Sequence, residues 1–193
     1  MHTTLRRKAF MASQNNTLGY MVIEGGEGQL RGIALVADAR GIPIDFRYTD
    51  LIRPKKLERI LYGDSWDTYF KQEIILESLL DAIEAPGLWI CQDSDILNSL
   101  RELSKVRTVL LEESPHVPLD AAGSIENTAE PGAFLIQADP HGNPLRAEFP
   151  DGVRSDEVQA VGAILTECAQ TMTLLEPFTR IQRLMSALAA GAD

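Results

Sequence analysis

The chain has 193 residues, of which 45% are hydrophobic and 24% are charged, and its formal net charge is −10. This length and composition predict a globular protein that buries its own core and needs no disulfide framework. No apolar run reaches the roughly 18 residues that a membrane-spanning helix requires, and the basic start lacks the apolar stretch of a secretory signal, so a cytoplasmic location is expected.

The charge is unevenly distributed along the chain. Residues 1–62 hold ten Lys and Arg against six Asp and Glu, a net charge of +4, whereas residues 63–193 have a net charge of −14. The acidic total argues against duplex nucleic acid as a partner, because backbone binding depends on neutralising phosphates. Nucleic acid is therefore expected only through the basic portion 1–62. Residues 1–18 are predicted to form a basic arm, and residues 19–193 a single α/β domain.

A β-hairpin is predicted near the start of this domain. Apolar runs over 33–37 and 42–48 flank the tetrapeptide Asp-Ala-Arg-Gly at 38–41. In such a turn the Asp38 carboxylate can accept hydrogen bonds from the backbone ahead of it, and Gly41 can adopt a positive φ at little cost.

The same sequence pattern recurs about a hundred residues later. ADARGIPI at 37–44 is echoed by ADPHGNPL at 138–145, again between two apolar runs. A catalytic aspartate would need partners of its own at each place, whereas a turn needs only itself. We therefore interpret Asp38 and Asp139 as turn residues and predict two similar hairpins.

Two helices are predicted after the first hairpin. The first covers 53–63, where Leu57, Ile60 and Leu61 share one face, and the second begins with a capping side chain and covers about 64–84. A strand-helix-strand unit is predicted next, with a strand over 88–93, a helix over 94–104 capped by Ser94 and a strand over 106–113. Such a unit favours a parallel pair of strands.

The last third of the chain completes the predicted fold. Residues 114–132 are rich in Pro, Gly and small polar side chains and predict a long loop before the second hairpin. Helices are predicted over about 155–175 and 178–188, separated by Pro177. The predicted fold class is α/β or α+β: a mixed sheet with two hairpins, one parallel strand-helix-strand unit and covering helices.

Most catalytic signatures are missing from the sequence. There is no phosphate-binding loop, zinc-protease motif or nucleophile elbow. Cys91 and Cys168 lie far apart without metal-ligand spacing and are predicted to be buried thiols. We therefore predict no catalytic residue, no metal and no cofactor in the leading hypothesis.

Carboxylates do close the two strands of the parallel unit. Asp93 and Asp95 close the first strand, and Glu112 and Glu113 close the second. Metal-dependent nucleases use carboxylates around divalent cations, and open α/β sheets bind ligands at this edge. Alternatively, Asp93 and Asp95 only favour the start of a helix, where acids face the positive end of its dipole. The alternative hypothesis is thus a metal- or nucleotide-dependent enzyme, or a ligand-binding domain, at this edge.

Two surfaces suit a protein partner instead. One is a basic cluster on the first helix, and the other is an apolar stripe on the last helix that could lie in a groove. The predicted contact residues are Arg53, Lys55, Lys56, Arg59, Phe178, Ile181 and Met185. An acidic face of the second helix, formed by Glu73, Glu77, Asp81 and Glu84, offers the basic cluster an internal partner.

Residues 32–80 contain a recognisable combination of motifs. The stretch GIALVADARGIPIDFRYTDLIRPKKLERILYG and the Tyr-containing helix after it resemble a group of uncharacterised bacterial proteins that pair an ARGxPxxFRxT hairpin with an RPxxLxxILYG helix. The resemblance covers about a quarter of the chain and implies no activity. The chain also looks like an accessory factor of a bacterial defence locus, such as the small regulatory partners of type III-E CRISPR effectors.

The leading hypothesis from the sequence is a non-catalytic cytoplasmic regulatory protein. It would bind another protein or a second copy of itself, as an accessory component of an antiviral defence system. The sequence leaves open whether the chain is an enzyme and favours a non-enzymatic role.

Overall fold

The computed structural model describes residues 17–26 and 28–190. It contains a mixed eight-stranded sheet with helices on both faces, which confirms the predicted fold class. The predicted basic arm lies outside the described residues except for its last two positions. Within the part of the chain that the structure describes, no helix combines the length and apolar character that crossing a membrane requires.

The sheet is built around three parallel strands. Its order is β3-β2-β1-β4-β5-β8-β7-β6, in which β1, β4 and β5 run parallel and the remaining neighbours pair antiparallel. The strands are β1 (Leu18–Gly26), β2 (Gln29–Ala37), β3 (Pro43–Tyr48), β4 (Leu88–Cys91), β5 (Thr108–Glu113), β6 (Ile125–Asn127), β7 (Ala133–Ile136) and β8 (Leu145–Glu148).

Helices connect the strands and cover both faces. They are α1 (Lys56–Tyr62), a 3-10 turn (Gly63–Ser65), α2 (Trp66–Tyr69), a π-helical segment (Phe70–Leu76), α3 (Glu77–Ala82), α4 (Ser94–Ser104), α5 (Ser155–Ala169) and α6 (Glu176–Ala189). The predicted parallel strand-helix-strand unit is confirmed, because α4 connects the parallel strands β4 and β5.

The core forms two layers because side chains alternate along β1. Tyr20 points to the layer that contains α5 and α6, whereas Met21 and Ile23 point to the layer that contains the π-helical segment and α4. Burial of these apolar side chains is the main favourable contribution to folding. Both cysteines are buried as predicted, and burial raises the pKa of Cys91 to about 12 and that of Cys168 to about 11.

The first predicted turn is confirmed. Asp38 Oδ1 accepts hydrogen bonds from the backbone N–H groups of Arg40 and Ile42, each at 2.9 Å, and Gly41 has a φ of 75°. Partial burial acts to raise the pKa of Asp38, but these bonds and those from the Arg40 side chain outweigh it and lower the pKa. Asp38 is therefore a structural carboxylate.

The second turn follows the first only in part. Asp139 Oδ1 accepts from the N–H of His141 at 2.9 Å, but the glycine of this turn, Gly142, is not in the positive-φ region. The two hairpins therefore share the aspartate contact and differ in the backbone path that follows it.

Several predicted boundaries differ from those in the structure. The helix predicted over 64–84 is interrupted by the π-helical segment, and the loop predicted over 114–132 contains β6. The cap of α4 is Asp93, whose side chain accepts from the N–H of Asp95, rather than Ser94. Pro177 lies in the first turn of α6, where a helix needs no N–H donor, so it starts this helix instead of separating two.

Candidate functional site

The carboxyl ends of the parallel strands lie at one edge of the sheet. After β1 the chain builds β2 and β3 on one side. It then passes to β4 on the other side through residues 66–82, which comprise α2, the π-helical segment and α3 and are called the helical segment below. In open α/β sheets, such a change of direction leaves a crevice at the carboxyl edge where ligands bind. The candidate site is therefore the region around the end of β1 and the start of α4.

Three carboxylates meet one ammonium group at this edge. Lys71 Nζ lies 3.1 Å from Asp67 Oδ2, 3.1 Å from Asp95 Oδ2 and 3.5 Å from Asp93 Oδ2. Burial acts to lower the pKa of Lys71, but the hydrogen bonds to Asp67 and Asp95 and the charge of Asp93 outweigh it and raise the pKa. We call these four residues the Lys71 cluster, and its lysine carries a positive charge at neutral pH.

Local structure brings the cluster together. Asp67 and Lys71 are four residues apart, so they lie one turn apart on the same side of the helical segment. Asp93 and Asp95 occupy the start of α4, where their charge is favoured by the helix dipole. Gln72 Nε2 donates to the backbone carbonyl of Asp95 at 2.9 Å, which holds the helical segment against α4.

Two cavities flank the end of β1. The main cavity has a volume of about 790 Å³, and a minor cavity of about 250 Å³ shares Ile23 and Glu24 with it and reaches Asp93. Small-molecule and cofactor sites commonly occupy about 300–1,000 Å³. The main cavity is lined by Ile23, Glu24, Gly25, Gly28, Gln29, Leu30, Arg31, Leu51, Trp66, Asp67, Lys71, Met185, Ser186 and Ala189.

The predicted basic cluster borders the main cavity. Arg59 donates to the carbonyl of Gly28 at 2.7 Å, and its guanidinium carbon lies 5.5 Å from the centre of the Trp66 ring. Arg53 donates to the Gln29 side chain at 2.9 Å. Gly28, Gln29 and Trp66 all line the cavity. We call Arg53, Lys55, Lys56 and Arg59 the basic rim.

The three carboxylates predicted at the sheet edge separate into two groups. Asp93 and Asp95 join the Lys71 cluster, whereas Glu112 on β5 accepts a hydrogen bond from Arg146 on β8 at 3.0 Å. The structure adds Lys71 and Asp67 to the predicted set. The signal that could have found this pair is its i,i+4 spacing of opposite charges.

The predicted contacts on the last helix need correction. Phe178 is 3% exposed and Ile181 is fully buried, so both belong to the core and are unable to contact a partner. The ring of Phe178 packs edge-on against Tyr20. Met185 is partly buried and lines the main cavity. The apolar stripe of α6 therefore attaches this helix to the sheet.

The residues present do not fit a divalent cation. Carboxylate sites in nucleases commonly hold such cations. Over residues 17–26 and 28–190, however, no three His, Cys, Asp or Glu side chains are arranged to hold a metal ion. The three carboxylates that do converge surround Lys71 instead.

Neither a protein-family model nor a curated protein matches the sequence. Solved structures do match the fold. Endonuclease V from Streptomyces avermitilis aligns with a TM-score of 0.56 and 16% identity, over 91% of this chain and 84% of that one. Endonuclease V from Bacillus subtilis aligns with a TM-score of 0.55 and 12% identity, over 90% of this chain and 83% of that one. Endonuclease V from Ciona intestinalis, solved with a 23mer DNA containing an inosine, aligns with a TM-score of 0.49 and 13% identity, over 86% of this chain and 85% of that one.

The shared fold overturns the leading prediction. The non-catalytic regulatory and protein-interaction role, in defence or elsewhere, and the preference against an enzyme are wrong, because 90–91% of the chain has the fold of structures named Endonuclease V. The alternative, an enzyme or ligand-binding domain with carboxylates at the sheet edge, fits this fold better. A protein partner or homo-oligomer stays a prediction.

Proposed function

We propose that the chain processes nucleic acid by holding a single strand along the basic rim and taking one nucleobase into the main cavity. The observation that carries this proposal is the position of the main cavity at the carboxyl edge, where Trp66 lines it and Arg53 and Arg59 donate to two of its lining residues. The likeness of the fold to the two bacterial Endonuclease V structures supports it.

The chemistry of the cavity mouth suits a single strand. Nucleobases stack on aromatic rings with about 1–3 kcal/mol per base, and basic side chains track the backbone phosphates. Trp66 is half-buried beneath Arg59, and Lys55 and Lys56 are exposed at the start of α1, the helix that carries Arg59. The rim is small and most of the chain is acidic, so a short single-stranded segment fits the charge distribution better than a long duplex.

Glu24 is the carboxylate that the site offers as a general base. It is exposed, it lines both cavities, and no ion pair joins it to another described residue. A carboxylate in this position can accept a proton from a water that attacks the bound strand. The acids of the Lys71 cluster are less suited because the ammonium group of Lys71 already engages them.

Charge reversal of the rim tests the binding step. We expect Lys55→Glu with Lys56→Glu to weaken binding of a fluorescein-labelled single-stranded oligonucleotide at least tenfold in about 50 mM salt. The slope of log Kd against log salt should fall by about 1.4, because two phosphate contacts at about 0.7 each are lost. Fluorescence anisotropy measures both quantities.

The matched control is Lys105→Glu with Arg107→Glu. These two exposed residues precede β5 at the opposite edge of the sheet, and their reversal changes the net charge equally. Equal weakening by both double variants would show a general charge effect and would reject the rim as the binding surface.

Removal of the Glu24 carboxylate tests the chemical step. We expect Glu24→Gln to slow strand processing about a hundredfold while anisotropy shows unchanged binding, since general base catalysis contributes at least that factor. An end-labelled oligonucleotide is incubated in EDTA buffer and separated on a gel with and without alkali treatment. Direct breakage reports hydrolysis of the backbone, whereas breakage only after alkali reports base removal.

Glu113→Gln is the control for this experiment. Glu113 is exposed at the end of β5 and lines neither cavity. Processing that survives in Glu24→Gln at the wild-type rate would refute the role of Glu24.

A further inference from the structure

Arg31 is a charged residue of the main cavity whose guanidinium lacks a partner among the described residues. It lines the cavity and is partly buried. Its Nε atom is excluded from solvent, and no described residue accepts a hydrogen bond from it. A buried donor without an acceptor is costly and is rare in folded proteins. Arg31 therefore offers a donor to a group that the described chain does not supply.

The register of the sheet places Arg31 directly opposite Glu24. The two residues are Cα partners in the antiparallel pair of β1 and β2, so their side chains leave the same face of the sheet. Alternation along β2 puts Arg31 on the side of Ile33, which packs in the layer of α5 and α6. Met185 and Ser186 of α6 line the main cavity as well. Arg31 and Glu24 therefore face the same part of the cavity, between the sheet and α6.

The charges of Arg31 and Glu24 both remain available to a ligand. Over residues 17–26 and 28–190, no ion pair joins Arg31 to a carboxylate, not even to Glu24 across the strand pair. A guanidinium presents its N–H donors in a planar fork that matches the oxygens of a phosphate group. We infer that Arg31 binds the phosphate group at the bond that is cut, opposite the water that Glu24 activates, an inference that rests on the proposed function.

The chemical step is then hydrolysis of one phosphodiester bond. Glu24 takes a proton from water while the water oxygen forms a bond to phosphorus. The bond between phosphorus and the leaving ester oxygen breaks, and that oxygen takes a proton from solvent, to which Glu24 returns its own. The products are a phosphate monoester and an alcohol. Arg31 stabilises the negative charge that develops on the phosphate oxygens during this step.

Binding of inorganic phosphate tests the site without nucleic acid. The Nε–H resonance of Arg31 and the backbone resonances of the cavity residues are followed by nuclear magnetic resonance during titration with sodium phosphate. We expect the wild-type Arg31 resonance to shift and saturate, and Arg31→Gln to bind phosphate at least tenfold more weakly because the charged fork is lost. Arg31→Lys keeps the charge without the fork, so its affinity should lie between those two.

Two further variants separate this site from a general effect of charge. Arg107→Gln removes the same charge from an exposed residue beside β5 and should bind phosphate as the wild type does. Glu24→Gln removes the negative charge opposite Arg31 and should strengthen phosphate binding about threefold or more. Equal weakening by Arg31→Gln and Arg107→Gln would overturn the site, and an unchanged affinity of Glu24→Gln would overturn its place opposite Glu24.

The wild-type titration decides the outcome even if a variant fails to fold, which circular dichroism reports. A shift of the Arg31 resonance that saturates with phosphate supports the site, and the absence of such a shift overturns it. Arg31→Lys identifies this resonance, because the variant lacks it and keeps the charge.

Cutting of a strand tests whether the bound phosphate is the one at the cut bond. In the gel experiment described for Glu24, Arg31→Gln is expected to slow direct breakage of the oligonucleotide about a hundredfold, because the developing charge loses its donor. Strand affinity should change little, since the basic rim still holds the strand. Guanidinium ions added to Arg31→Ala should restore part of the rate, which a merely structural role of Arg31 does not predict.

Failure of the inference and failure of the proposed function give different results. A wild-type chain that binds phosphate through Arg31 without processing the strand would refute the proposed function and leave the phosphate site in place. Processing by Arg31→Gln at the wild-type rate would refute the inference and leave the proposed function in place.

Discussion

Replacement of Phe178 by alanine is expected to lower the free energy of unfolding by about 3–5 kcal/mol. The ring is 3% exposed and packs edge-on against Tyr20, with ring centres 5.2 Å apart and an angle of 86° between the planes. Truncation removes the apolar contacts of the ring and leaves a cavity between α6 and β1. Urea unfolding followed by circular dichroism measures the loss.

The control lies on the same helix. Leu184 is 37% exposed, and Leu184→Ala is expected to cost less than about 1 kcal/mol. This pair of variants separates a core role from a partner-binding role for α6. Unchanged stability of Phe178→Ala, together with a change of molecular mass in solution, would contradict the burial of this ring.

Introduction of valine at Gly32 is expected to destabilise the chain by about 3 kcal/mol. A Cβ atom at this position of β2 would lie 2.3 Å from Ile75 Cγ2 and 2.8 Å from Leu79 Cδ1. Both neighbours are buried, so relief of the clash requires the helical segment to move away from the sheet. The same segment carries Lys71, so the movement also disturbs the Lys71 cluster.

Gly142→Val supplies the comparison. A Cβ atom at Gly142 would meet nothing closer than Asp139 Oδ2 at 3.5 Å, so a cost within about 1 kcal/mol is expected. Thermal unfolding of the two variants side by side measures the difference. Equal stability of Gly32→Val and the wild type would show that the helical segment does not rest on Gly32.

Local patterns in the sequence predict those parts of the fold that depend on neighbouring residues. The Asp38 turn follows from turn chemistry within five residues, and the unit β4-α4-β5 follows from a change of hydrophobic period. Strand β6 is different because it has only three residues, within a segment rich in Pro and Gly. Its pairing with β7, for example between Ile125 and Ile136, depends on tertiary contacts. The spacing of hydrophobic residues along the sequence does not indicate such contacts.

The candidate site depends on contacts between distant segments. Lys71 and Asp95 are 24 positions apart in the sequence. The spacing of hydrophobic residues in their two helices does not indicate that the helices meet at this point. The sequence indicates acids at the strand ends, and the structure places Asp93 and Asp95 beside Lys71, a contact that the sequence does not indicate. Likewise, the apolar stripe of α6 shows which side of the helix is hydrophobic, whereas only the three-dimensional fold shows that the sheet covers it.

Helix α1 contributes no buried residue to either core layer. Its apolar side chains Leu57, Ile60 and Leu61 are 79%, 69% and 79% exposed. Opening of this helix therefore exposes almost no additional apolar surface, and its free energy lies far below that of global unfolding. The helix that carries Lys56 and has Lys55 at its N-cap can thus change conformation to fit the proposed nucleic-acid strand while the sheet keeps its structure.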